Sequence, residues 1–61
     1  MTPTQQQQRR RELYKLSQGE LVKLYAKLSG HLVSEIRRDV LRMSNPLAYL
    51  VDVIVYAESR R

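Results

Sequence analysis

Three consecutive arginines near the start of the chain are the residues whose type and spacing most clearly indicate a function. Arg9, Arg10 and Arg11 are adjacent, Lys15 follows one helical turn later, and Glu12 is the single acid among them. The guanidinium group of arginine binds phosphate through paired hydrogen bonds, and each contact with a nucleic acid phosphate releases counterions. The cluster also lies near a helix start, where the helix dipole disfavours positive charge. The alternative interpretation is a solvated cluster that only keeps a small protein soluble.

A second basic group follows in the middle of the chain. Arg38 and Arg42 are four residues apart, and Arg37 lies beside them. Glu35 and Asp39 are also four residues apart, which could bring two carboxylates together on one helix face. Each of these acids has an arginine three residues further on, so we expect surface ion pairs rather than a catalytic carboxylate pair.

Residues 22–41 contain a partial helix-turn-helix pattern, in which a short turn joins two helices and the second enters the major groove. Three positions resemble the signature of small repressors, namely Ala26, Gly30 and Ile36. Three positions depart from it because they are polar where the signature wants apolar residues, namely Ser29, His31 and Asp39. A plain helical hairpin explains the same residues. If the motif is real, the residues that face bases or phosphates are Ser34, Arg37 and Arg38.

The residue types needed for catalysis or metal binding are scarce. The chain has no cysteine, and His31 is its single histidine, whereas a structural zinc site takes about four such ligands. His31 follows a helix-ending glycine, in a chain too short to enclose a substrate pocket of several hundred Å³. We therefore predict no enzyme activity, no cofactor, no metal and no small-molecule substrate.

Four short helices must position these residues in a chain of 61 residues. The predicted helices cover residues 6–16, 18–29, 32–43 and 47–56. Ser17 and Glu20 have the spacing of a capping box at the start of the second predicted helix, and Gly30 is the residue type that often ends a helix. Asn45 and Pro46 have the order typical of a helix N-cap and first turn. We predict an all-α fold, a small bundle of three to four short helices that dimerisation completes.

Residues 47–56 carry one charge, on Asp52, and are otherwise mostly apolar. As a helix, this segment would expose a thin face of Ala48, Asp52, Val55 and Ser59, so it must be buried on more than one side. A small monomer offers no second layer, which makes the segment the predicted dimer or partner interface. The interface residues are Leu47, Leu50, Val51, Val53, Ile54 and Tyr56. A strand paired across a two-fold axis is the alternative, because the segment is rich in β-branched residues.

The domain prediction is a mobile polar arm over residues 1–8 and one helical domain over residues 9–61. The net charge of +5 favours anionic partners, and more than half of it lies in residues 1–16. We expect no signal peptide, because the first residues are polar and rich in glutamine. The longest uncharged run, residues 43–51, is shorter than the roughly 20 residues of a membrane span. A cytoplasmic location is expected.

Two functions remain open. The first is nucleic-acid binding, with DNA slightly favoured over RNA, through phosphate contacts of Arg9, Arg10, Arg11, Lys15, Ser34, Arg37, Arg38 and Arg42. The second is a protein-interaction module, an adaptor, inhibitor or small subunit, whose apolar C-terminal helix docks into a larger partner. Attachment of the basic first helix to an anionic membrane ranks below both, because that helix has few apolar residues to insert.

Overall fold

Local capping interactions define where the four helices of this protein begin. In a computed structural model, which describes residues 2–60, helix α1 spans Pro3–Tyr14 and α2 spans Gln18–Ser29. The Gln5 amide N–H donates to the Thr2 hydroxyl at 3.2 Å, and the Gln5 side chain accepts from the Thr2 N–H at 3.0 Å. This capping box starts α1 at Pro3, earlier than the predicted start near residue 6. The mobility predicted for residues 1–8 stays a prediction, although residues 3–8 are helical.

Helix α2 has the start and the end that the sequence predicts. The Ser17 hydroxyl accepts a hydrogen bond from the Glu20 N–H at 3.3 Å, which is the serine half of the expected capping box. The helix ends at Gly30, whose φ of 79° lies in the left-handed region and whose N–H donates to the Ala26 carbonyl at 2.9 Å. Glycine takes this conformation without a Cβ penalty, so the residue type is required by the turn.

Helix α3 spans Val33–Val40, which is shorter than the predicted 32–43. Beyond Val40 the backbone tightens, since the Arg42 N–H donates to the Asp39 carbonyl at 3.2 Å and the Met43 N–H to the Val40 carbonyl at 3.1 Å. These bonds span three residues rather than four, as is common where a helix ends. The chain must also leave the helical conformation before Pro46.

Helix α4 spans Pro46–Ser59, so the helical interpretation of residues 47–56 is confirmed over the strand. The Asn45 side chain accepts from the Ala48 N–H at 3.3 Å, and Pro46 occupies the first turn. Residues 2–60 contain four helices and no strand, in agreement with the predicted all-α bundle. None of these helices is long and apolar enough to cross a membrane.

The core forms where α4 packs against α2 and α1, with α3 packed on α2. Its buried side chains come from all four helices: Leu13, Leu21, Val22, Ile36, Val40, Leu50, Val51, Ile54 and Val55. Val55 is only 3% exposed, so its predicted place on the open face of α4 was wrong. The reason is that α1 covers this side of α4, next to Asp52 and Ser59.

One chain therefore supplies the second layer that a monomer was expected to lack. Leu50, Val51 and Ile54 are 0% exposed within the chain itself, so they cannot form a surface for a second copy. Leu47 and Val53 are half-buried, and Tyr56 is 63% exposed. Dimerisation stays a prediction, but the burial of α4 no longer requires it.

Candidate functional site

Arg9 joins α1 to α4. Its Nε donates to Glu58 Oε1 at 2.9 Å and its Nη2 donates to Glu58 Oε2 at 3.0 Å, which is a two-point contact between a guanidinium and a carboxylate. Its Nη1 also donates to Glu12 Oε2 at 3.2 Å. The hydrogen bond with Glu58 raises the pKa of Arg9, burial opposes this shift, and Glu12 adds to it. The Arg9 charge is therefore already matched within the chain.

Arg10 makes a second contact between the same helices, a salt bridge with Asp52. The Gln6 side-chain amide donates to the Ser59 hydroxyl at 3.2 Å, so Gln6, Arg9 and Arg10 all meet α4. Residue numbers rise along α1 as they fall along α4, which means that the two helices run antiparallel. Arg9 and Arg10 thus hold α1 on α4, and this speaks against their predicted role as open phosphate contacts.

The other two cations of the first cluster remain exposed. Arg11 and Lys15 lie at the surface, and neither takes part in a salt bridge among the described residues. The structure therefore divides the predicted cluster into a structural pair, Arg9 and Arg10, and an accessible pair, Arg11 and Lys15.

The second basic group forms an exposed surface, which we call the α3 basic face, made of Ser34, Arg37, Arg38 and Arg42. The first three lie on the outer side of α3 at spacings of three and four residues, while Ile36 faces the core. Arg42 lies just beyond the helix end and is also exposed. Because these residues project away from the core, a large ligand could reach all of them.

The expected ion pairs on α3 are not formed. None of the salt bridges of residues 2–60 joins Glu35 to Arg38 or Asp39 to Arg42. Arg42 lies past the end of the helix, so it lacks the helical spacing to Asp39 on which that prediction depended. The α3 basic face is consequently not neutralised by these acids.

A shallow groove borders the α3 basic face. It lies between the start of α2 and the end of α3, with Gln18 and Gly19 on one side and Arg37 and Leu41 on the other. The α2–α3 unit has the glycine turn expected of a helix-turn-helix, and Ser34, Arg37 and Arg38 are exposed as that motif would need. A plain helical hairpin has the same features, so the motif stays a hypothesis.

Sequence reasoning missed the acidic partners on α4. The salt bridge from Arg9 to Glu58 spans 49 residues, and that from Arg10 to Asp52 spans 42 residues. One signal was present, because Glu58 lies in the last turn of its helix, where the dipole disfavours negative charge. The arginines were expected near a helix start, and this was wrong: because α1 begins at Pro3, they lie in its second half, with Arg11 in the last turn, where the dipole favours positive charge.

Exposed apolar side chains at the two ends of α3 were also not predicted. Leu32 is 64% exposed and Leu41 is 83% exposed. Within residues 2–60, no three His, Cys, Asp or Glu side chains lie close enough together to hold a metal ion.

Comparison with protein-family models, with curated proteins and with solved structures finds no match to this chain. The exposed cations, the groove and the charge pairs are therefore the observations from which a function can be proposed.

Proposed function

We propose that this protein is a non-enzymatic nucleic-acid-binding protein, a small regulator or accessory factor that acts in the cytoplasm. The α3 basic face makes the principal phosphate contacts, and Arg11 and Lys15 add to them. One observation carries the proposal: the arginines of α3 are exposed and form no salt bridge within residues 2–60, in a chain with net charge +5. Unpaired arginines gain most from phosphate, because no internal ion pair must be broken.

Duplex DNA remains the favoured form of nucleic acid. A short helix with its polar side exposed fits the width of the major groove of DNA, whereas the major groove of double-stranded RNA is too narrow for side chains to read. Stacking on single strands is less well supported, since Tyr14 is the one tyrosine beside the first basic cluster.

Arg9 and Arg10 have no direct part in this proposal. A phosphate would have to replace Glu58 and Asp52, and the two carboxylates would lose their partners. An unpaired, partly buried carboxylate is unfavourable, so substitution of Arg9 should lower stability before it lowers affinity.

The test is a titration of the purified chain against labelled duplex DNA and single-stranded RNA at several salt concentrations. A variant that combines Arg37→Gln and Arg38→Gln should bind about tenfold more weakly at moderate salt, and the slope of log K against log salt should fall by about 2. The matched control combines Lys23→Gln and Lys27→Gln, which removes the same charge from exposed positions on α2.

Equal losses for the two pairs would mean that only net charge matters, and undiminished binding by the α3 variant would overturn the assignment. Circular dichroism on each variant checks that the helices persist. Light scattering on the same samples tests the predicted homodimer, because a C2 dimer would present two copies of the α3 basic face.

The alternative function is a protein-interaction module. The observation that favours it is the exposure of Leu32 and Leu41, which flank α3 and are 64% and 83% exposed. This differs from the expected docking through α4, whose apolar residues are mostly used within the chain. A module of this kind predicts binding that tolerates salt and that Leu41→Ser abolishes, whereas nucleic-acid binding should survive that change.

A further inference from the structure

A cavity of about 260 Å³ lies between α2, α3 and α4, beside the turn that follows α2. Its lining residues are Tyr25, His31, Glu35, Ile36, Asp39 and Tyr49. Ile36 is only 4% exposed and forms an apolar part of the wall. None of the α3 basic face lines this cavity, so it is a separate feature of the molecule.

The two carboxylates of the cavity have no cationic partner. Asp52 and Glu58 form salt bridges with α1, whereas Glu35 and Asp39 take part in no salt bridge of residues 2–60. Both side chains are exposed, and they stay unpaired within residues 2–60 although the chain has a net charge of +5. Glu35 and Asp39 lie one turn apart on α3 and both line the cavity, so together they attract positive charge there.

Aromatic rings complete the cavity wall. Tyr25 of α2 and Tyr49 of α4 face each other across the cavity, and Tyr49 is 38% exposed. Partial burial is the main reason that the pKa of Tyr49 is raised, with Tyr25 and Asp39 adding to the shift. The ring centroids of Tyr25 and His31 are 6.4 Å apart. Tyrosine faces attract cations through the ring quadrupole, and cavities that join aromatic rings to carboxylates are typical of ammonium recognition.

We propose that this cavity binds an organic cation, an ammonium or guanidinium group at the end of a flexible stem. The charged head pairs with Glu35 and Asp39 and lies against the rings of Tyr25 and Tyr49, while the stem contacts Ile36. The proposal concerns binding and includes no reaction. It goes beyond nucleic-acid binding and does not rest on it, because the two sets of residues lie on different sides of α3.

Two probes of the same shape separate charge recognition from simple cavity filling. Choline and its neutral carbon isostere, dimethylbutanol, are titrated into the isotope-labelled chain at constant ionic strength and followed by two-dimensional NMR. Choline should cause saturable shifts at the amides of the cavity residues, with affinity about tenfold above that of the neutral isostere. Equal affinities, or shifts spread equally to the exposed acid Glu20, would overturn the proposal.

Variants then assign the recognition to the residues. Combined Glu35→Gln and Asp39→Asn should weaken choline binding about tenfold, whereas Glu20→Gln, which removes an exposed charge outside the cavity, should leave it unchanged. Tyr49→Phe keeps the ring and should retain most of the affinity, while Tyr49→Leu should lose it. Unchanged binding in the double carboxylate variant would refute the assignment, and the comparison of isosteres on the unaltered chain does not depend on any variant folding.

The source of the cation is distinguished by a third probe. A glycine-serine peptide with one central lysine is compared with agmatine, a free guanidinium compound, and with choline. Tighter binding of the peptide identifies a protein side chain as the ligand, and tighter binding of agmatine or choline identifies a small molecule. Failure of all three probes to bind at the cavity overturns the proposal, and it would leave the nucleic-acid proposal unaffected.

Discussion

Leu50→Ala decides whether α4 belongs to the core of one chain or to an interface between two. Leu50 is 0% exposed and belongs to the core to which all four helices contribute. Truncation removes three carbons, each worth about 0.8 kcal/mol of transfer free energy, and leaves a cavity, so the loss should be about 3 kcal/mol. A chain of 61 residues has a total stability of about 3–9 kcal/mol, so the variant should be close to unfolding.

The assay is unfolding by urea and, separately, by heat, each followed by far-ultraviolet circular dichroism at protein concentrations about a hundredfold apart. For the monomer core, the midpoint of the unaltered chain does not depend on concentration, and Leu50→Ala lowers the melting temperature by about 12–24 °C. Tyr56→Ala is the matched control on the same helix, because Tyr56 is 63% exposed, and it should change stability by no more than about 0.5 kcal/mol.

The reasoning would be refuted if Leu50→Ala stayed fully folded and only changed the molecular mass from dimer to monomer. In that case the burial of Leu50 would be supplied by a second copy, as the apolar pattern of residues 47–56 first indicated. A concentration-dependent midpoint combined with a large destabilisation would instead mean that core and interface unfold together.

Three further predictions concern a turn, a salt bridge and the Tyr49 phenol, which is 38% exposed. Gly30→Ala should cost about 1 kcal/mol because φ is 79°, whereas Gly19→Ala, within α2 and with no atom within 4 Å of the added Cβ, should stabilise by about 0.5–1 kcal/mol in the same melting assay. Glu58→Gln should lower the free energy of unfolding by about 1 kcal/mol, since its contact with Arg9 is partly exposed. Adding Arg9→Gln to this variant should lower it much less than Arg9→Gln does in the unaltered chain, and a double-mutant cycle measures the difference. Because the pKa of Tyr49 is raised in the folded chain, its contribution to stability is fully present below the ordinary tyrosine pKa of about 10 and is lost as the pH rises through the folded pKa. Tyr49→Phe should remove this alkaline decline in urea unfolding, and an unchanged pH profile would contradict the assignment.

Burial was the part of the fold least accessible to sequence reasoning. The spacing of apolar residues in residues 47–56 correctly predicted a helix that must be covered on several sides. It could not say which molecule covers it, since a second copy and another helix of the same chain leave the same apolar pattern. The weakly apolar α1 contributes one fully buried residue, Leu13, and holds the rest of its contact with α4 through polar side chains. Hydrophobic periodicity therefore could not identify α1 as the covering helix.

The basic clusters show the same division. Residue type alone identified Arg9, Arg10, Arg37 and Arg38 as candidate phosphate contacts, and their chemistry is the same. The fold separates them, because α1 lies on an acidic side of α4 while Arg37 and Arg38 are exposed on the outer side of α3.

What the sequence by itself determined is local. The helix starts at Ser17 and Asn45 and the turn at Gly30 depend on hydrogen bonds and backbone conformation within four residues, so residue types at fixed spacing were sufficient. Only the tertiary structure decided which charges form pairs and which element covers each apolar face. Glu58 lies 49 residues from Arg9, and their contact exists only because the packing of α1 on α4 brings them together. Such contacts depend on the summed packing of all four helices, which no short stretch of residues specifies.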